Sequence, residues 1–155
     1  MNRNIKDIQY NFLNLPQCIE FEDGSTTEYL YDVDGRKLRT VHRADGKTTT
    51  TDYAGNLIYE NGNPIRLVTE YGYVSLPDGM YHYYLQDHQG NNRVVADRNG
   101  KLEEVNHYYP FGGMFANTGN IQPYKYNGKE LDTRKGLNWY DYGARHYDPA
   151  VGRWH

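Results

Sequence analysis

Few residues in this chain could do chemistry. Six histidines stand at His42, His82, His88, His107, His146 and His155, and no two stand at metal-ligand spacing with a nearby Cys or Glu on one element. A zinc site needs three or four converging donors, so no metal is expected. The only serines are Ser25 and Ser75, and neither sits in a Gly-x-Ser-x-Gly elbow. Cys18, beside Pro16 and Ile19, reads as a small core residue rather than a nucleophile. Asp87 to Asn91 and Asp97 to Gly100 group oxygen ligands around a glycine, as calcium loops do. No Glu closes a twelve-residue loop after Asp87, so both read as turns first. Two close carboxylates can split into an acid and a base. Asp141 and Asp148 are the candidates, with Arg145 three residues before the second and able to hold a carboxylate. Seven residues along a straight strand put the two on opposite faces, although Gly143 could bend that strand. Asp148-Pro149 alone reads as a turn. The chain is therefore read as not an enzyme, with no cofactor.

Aromatic rings are the other candidate. Tyr81 and Tyr83 would share one face of a strand, as would Tyr140 and Tyr142. Flat rings beside Asn, Asp and Arg can bind sugars or peptide surfaces. The competing reading, which we favour, is that these rings pack cross-strand against one another.

The elements that would position these residues follow from composition and glycine spacing. The chain has 155 residues and a formal net charge of −3, which argues against a strongly basic nucleic-acid binder. Leu, Ile, Val and Phe together number 29, just under the roughly 20% level at which disorder becomes a concern. Seventeen tyrosines and two tryptophans compensate, so the core is expected to be largely tyrosine. One cysteine allows no internal disulfide. No run of 18 apolar residues offers a membrane span, and Met1 to Leu15 does not read as a signal peptide. Sixteen glycines recur at gaps of mostly seven to eleven residues. Many follow a turn former: Asp23-Gly24, Asp34-Gly35, Asp45-Gly46, Asn61-Gly62, Asp78-Gly79, Asn99-Gly100 and Asn127-Gly128. These dipeptides predict two-residue hairpin turns with positive φ at both central positions. Between them lie short segments rich in Tyr, Thr, Val and Leu. The fold class read from this is all-β, a stack of antiparallel hairpins in a curved or rolled sheet with little or no helix. The best helical candidate is one turn at Asn127–Asp132.

Certain motifs then match a known pattern. Tyr31-Asp32-Val33-Asp34-Gly35 places Tyr-Asp ahead of an acidic-Gly turn, and Asp87-His88-Gln89-Gly90 and Asp97-Arg98-Asn99-Gly100 repeat the layout. Tyr108-Tyr109-Pro110-Phe111-Gly112 is similar to a Tyr-x-Pro-Phe-Gly element. Gly136-Leu137-Asn138-Trp139-Tyr140-Asp141-Tyr142-Gly143-Ala144-Arg145-His146-Tyr147-Asp148-Pro149, followed by Gly152-Arg153-Trp154, resembles a repeat-associated core signature. Together these resemble the Rhs, or YD-repeat, family. The chain divides accordingly into degenerate hairpin repeats at 1–80 and a core segment at 81–155.

The resemblance implies a hollow shell wound from hairpins, closed at one end by the core signature, with a variable toxin domain beyond it. The expected partners are the rest of the shell and that toxin domain, with cell-surface glycans as an alternative. Secretion or attachment to the cell envelope is implied in the same way. The family's known chemistry is self-cleavage by paired aspartates. Asp148 matches the upstream one, with Arg145 beside it, and the second Asp-Pro is absent here. The chain is too short to enclose anything, so it is expected to be the carboxyl-terminal piece of a shell. Its open sheet edges should favour self-association.

Overall fold

A computed structural model describes residues 4–155. Twelve strands form one antiparallel sheet, each paired with the next in chain order. They are β1 (Ile5–Tyr10), β2 (Pro16–Phe21), β3 (Thr26–Tyr31), β4 (Lys37–Ala44), β5 (Lys47–Ala54) and β6 (Leu57–Glu60), then β7 (Asn63–Thr69), β8 (Gly72–Ser75), β9 (Met80–Gln86), β10 (Asn92–Asp97), β11 (Leu102–Tyr108) and β12 (Met114–Thr118). A second sheet holds β13 (Glu130–Asp132), β14 (Trp139–Asp141), β15 (His146–Asp148) and β16 (Arg153–Trp154), again in chain order. Short 3₁₀ turns occupy Tyr126–Gly128 and Arg134–Gly136. The all-β expectation holds; of the helical candidate at Asn127–Asp132, Asn127 and Gly128 lie in one such turn, and Glu130–Asp132 is β13. The first sheet runs without a break across position 80.

The strands alternate as the sequence does. In β3, Thr27 and Tyr29 are buried while Leu30 is exposed. Register carries that inner face across the sheet: Tyr29 opposes Thr40, and Thr40 opposes Thr51. The inner face is thus threonine-rich. The core cluster combines Ile19, Phe21 and Tyr29 of the large sheet with Leu137 and Trp139 of the segment that covers it. The expectation of a largely tyrosine core is corrected here. Among the described residues, the buried apolar side chains include three tyrosines, Tyr29, Tyr73 and Tyr140, beside eight of other types. A phenol buried in full must place its hydroxyl, so most of the rings stop part-way in.

The turns also differ from expectation. Asp45-Gly46 and Asn61-Gly62 join their strands directly with both φ values positive, as predicted. Asn127-Gly128 also has both φ values positive, but within a 3₁₀ turn rather than between two paired strands. At Asp34-Gly35 and Asn99-Gly100 only the glycine is left-handed. There the working residue is the earlier aspartate. Asp32 Oδ1 accepts the N–H groups of Asp34 and Arg36, and Gly35 N–H donates to the Asp32 carbonyl. Asp87 holds Gln89 and Asn91 in the same way, and Asp97 holds Asn99 and Lys101. Asn11 repeats the geometry, with Asn14 taking the left-handed place. This is a three-residue loop, a type I turn closed by one left-handed residue. At Asp23-Gly24 and Asp78-Gly79, too, glycine alone has positive φ.

Gly72 tests the close packing of neighbouring strands. Its φ is +154°, and a Cβ there would lie 1.9 Å from the His82 carbonyl oxygen. Gly24 has φ +82° with open space around it. Gly72→Ala is expected to cost about 2–4 kcal/mol, from strain plus overpacking. Gly24→Ala should cost only about 1–2 kcal/mol. Urea unfolding midpoints of the two variants check the order, and equal costs would contradict it.

Candidate functional site

The second sheet lies against the inner face of the first, and its register decides what it presents there. Glu130 opposes Asp141, and Asp141 opposes His146, in one cross-strand row. Asp132 opposes Trp139 in the next row. Cross-strand partners share a face, so one face of this small sheet carries three carboxylates, an imidazole and an indole.

The large sheet answers with one ammonium and three phenols. Lys37 of β4 reaches Glu130 at 2.6 Å and Asp141 at 2.7 Å, with all three side chains largely buried. Tyr53 donates to Glu130 at 2.8 Å, and Tyr29 donates to Asp132 at 2.8 Å. Arg134 pairs with Asp132 at 3.2 Å and reaches Thr51 Oγ1 at 3.4 Å. Burial alone would push the Lys37 ammonium down, but Glu130, Tyr53 and Asp141 outweigh it and hold it well above its ordinary value. Burial likewise pushes the Asp141 carboxyl up, and Lys37 overrides that, leaving it below the ordinary carboxylate range. Lys135 adds a partly exposed pair with Asp23 at 2.8 Å.

His146 sits in the middle of this interface. The Tyr31 hydroxyl donates to the Pro16 carbonyl at 2.8 Å, so at 3.0 Å it accepts from His146 Nε2. That leaves Nδ1 without a proton, buried and with no partner. Burial pushes the imidazole down to about 4.

A second polar anchor joins the linking segment to β11. Glu104 Oε1 accepts from Lys125 Nζ, from Asn106 Nδ2 at 2.6 Å and from Gln122 Nε2 at 3.0 Å. Its Oε2 accepts the Ile121 N–H at 2.9 Å. A third anchor clamps the β11–β12 turn. Tyr126 donates to the Pro110 carbonyl, Tyr147 to that of Phe111 and Tyr140 to that of Gly112, at 3.0–3.1 Å. Gly112 is needed there because a Cβ would lie 2.6 Å from the Tyr126 ring. The Tyr109-Pro110-Phe111-Gly112 element is therefore a gripped turn, with the Tyr109 ring packed on Phe115 at 4.9 Å.

The expected site residues fall as follows. Asp141 and Asp148 lie on two strands of one hairpin, not on one strand, so the register puts them on the same face, one diagonal step of about 7–8 Å apart. The opposite-face expectation is corrected. Asp141 is committed to Lys37 and to the Gly143 N–H. Asp148 is buried, and its Oδ1 accepts the Ala150 N–H, the turn role of an Asp-Pro. Pro149 is half-buried beside it. The Arg145 guanidinium stacks 4.6 Å from the Trp154 ring centre. Arg153 is exposed, opposite Asp148 in register. Gly136 and Gly152 occupy turns with positive φ, and Leu137 is fully buried in the core. Tyr81 and Tyr83 share one face of β9 and are about half exposed, against the favoured expectation that they pack away. Tyr140 is fully buried and its hydroxyl engaged, so it is corrected as a ligand platform. Tyr142 is half-buried, accepts from Asn127 and packs edge-on to Trp154. Cys18 is half-buried opposite Glu28 rather than in the core. Among the described residues no cluster of three or more His, Cys, Asp or Glu could hold a metal.

No family model matches this chain. It is 31% identical over 183 aligned residues to salivary gland surface protein 1 of Aedes aegypti, covering 99% of this chain and 5% of that protein. It is 38% identical over 71 residues to toxin subunit YenC1 of Yersinia entomophaga, covering 42% of this chain and 7% of that one. Among solved structures, that of TcdB2-TccC3-TEV superposes with a TM-score of 0.80 at 20% identity, over 97% of this chain and 9% of its own. The Photorhabdus luminescens Tc holotoxin pore gives 0.76 at 21% identity, over 96% and 8%. The fold is thus that of a small part of these toxin chains, and the chain spans under a tenth of each of these four proteins.

Two outcomes follow from the docking face. Lys37→Met leaves two buried carboxylates facing each other and should cost about 3–5 kcal/mol. Urea unfolding at pH 7 reads this. For His146, the folded value of about 4 lies below the ordinary 6.5, so the unfolded chain binds the proton more readily. Its contribution is present above pH 6.5 and fades as pH falls toward 4. Between pH 7 and pH 5 the loss is about 2 kcal/mol, and a His146→Gln variant should show a smaller drop over that interval.

Proposed function

We propose that this chain is a wall-and-closure segment of an Rhs-type shell, whose work is to enclose and present a polypeptide carried on the same longer chain. The observation that carries this reading is the docking face. A strip of twelve consecutive hairpin-linked strands is covered on one side by the core-signature segment, held through Lys37, Glu130 and Asp141. The likeness to the TcdB2-TccC3 chains over 97% of the length supports it, as does the partial identity to toxin subunit YenC1. In this reading the large sheet is wall, Gly136–Trp154 is the closing piece, and the partners are further shell and a toxin domain. Secretion or envelope attachment goes with it. Self-cleavage belongs only to a longer chain, with Asp148 as one of its aspartates.

A second reading is favoured by a different observation. Tyr81, Tyr83 and Leu85 project side by side from β9, each about half exposed. With the likeness to a mosquito surface protein, they support a module that docks on glycans or partner proteins.

One experiment separates the two. A longer natural polypeptide carrying this segment is treated with a broad-specificity protease under native conditions. The shell reading expects the chain beyond the segment to be protected, and Lys37→Met to expose it. Equal cleavage in both forms, together with glycan binding abolished by Tyr81→Ser/Tyr83→Ser, would replace it with the docking reading.

A further inference from the structure

Lys125, Glu104 and Asn106 form a buried cluster that the docking face does not use. Their exposures are 1%, 0% and 0%. The Lys125 ammonium and the Asn106 carboxamide nitrogen meet on one oxygen, Glu104 Oε1. The second amide hydrogen of Asn106 goes to the Asn92 carbonyl at 3.2 Å, which fixes the plane of the carboxamide. Asn106 Oδ1 is buried with no partner. Thus an amine, a carboxamide and a carboxylate in contact with both lie together with almost no exposed surface.

We infer that Lys125 and Asn106 join in a spontaneous intramolecular amide bond, with Glu104 as the proton carrier and ammonia as the leaving group. Glu104 first takes a proton from Lys125. The freed Nζ lone pair attacks Asn106 Cγ, one bond from the nitrogen that shares the Glu104 oxygen. The new Nζ–Cγ bond forms, the Cγ–Nδ2 bond breaks, and Glu104 passes its proton to the departing nitrogen. Ammonia leaves and carries off the remaining lysine proton as ammonium, so atoms and charge balance and nothing is oxidised or reduced.

Two features favour the step. Holding nucleophile and electrophile together replaces a bimolecular encounter with an intramolecular one. Burial, against the bond to Glu104, pushes the Lys125 ammonium below its ordinary value, which favours the nucleophilic amine. Gln122 also donates to Glu104 Oε1, but its own oxygen is held by the Tyr124 N–H at 2.6 Å and it lies only three residues before Lys125. Asn106 is the acyl donor of choice. The bond would tie β11 covalently to the segment leading into the second sheet, and it stands independently of the shell reading.

The test is the mass of the denatured full chain, measured beside Lys125→Arg and Glu104→Gln. The unaltered chain is expected to be lighter than its sequence by one ammonia, with trypsin failing to cut after Lys125. Both variants should keep their full mass. An unaltered chain at full mass overturns the inference, whatever the variants do. A loss that tandem spectra map to Gln122 instead of Asn106 also overturns it.

Discussion

An ammonium buried between two carboxylates fixes how this molecule closes. Lys37 rises from a sheet whose inner face is lined by Thr27, Thr40 and Thr51. Such a face cannot be covered by apolar surface alone, because its polar neighbours would lose water without replacement. The covering sheet therefore brings Glu130, Asp132 and Asp141, and the large sheet meets them with Lys37, Tyr29 and Tyr53. A buried ion pair of this kind is weak evidence for stability and better evidence for register. The observed docking position puts both Glu130 and Asp141 on Lys37 while seating Trp139 and Leu137 in one cluster with Phe21.

The same economy explains several motif letters. The aspartate of Tyr31-Asp32 matters because its carboxylate holds two amides of the turn that follows. The glycine of Pro110-Phe111-Gly112 matters because a tyrosine ring lies where a side chain would be. Tyr126, Tyr140 and Tyr147 act as donors, placing hydroxyls on three successive carbonyls. In a chain with few aliphatic residues, rings with a polar end do both kinds of work.

Much of the fold was legible in sequence. Glycine spacing and alternating segments pointed to hairpins, and the two-residue turns at Asp45-Gly46 and Asn61-Gly62 followed from φ requirements. The three-residue turns were missed because a dipeptide does not reveal how many residues precede it in the loop. The docking face was largely illegible. Lys37 and Glu130 are 93 positions apart, and nothing in a linear pattern pairs a strand lysine with a distant glutamate. Glu104 carried a faint signal, a charged residue at an inward position two before Asn106. His146 looked like any other histidine until its neighbours were known.

The most direct test uses the placement of the two tryptophans, Trp139 and Trp154, which both lie in the second sheet. Their fluorescence therefore follows that sheet and its seat on the large one, where Trp139 packs with Phe21 and Tyr29, while far-ultraviolet circular dichroism follows mainly the twelve strands. If the large sheet depends on the sheet that covers it, urea unfolding at pH 7 will give coincident transitions by both probes. Loss of the tryptophan signal well before the strand signal would mean that the large sheet stands without its cover, and would contradict the account.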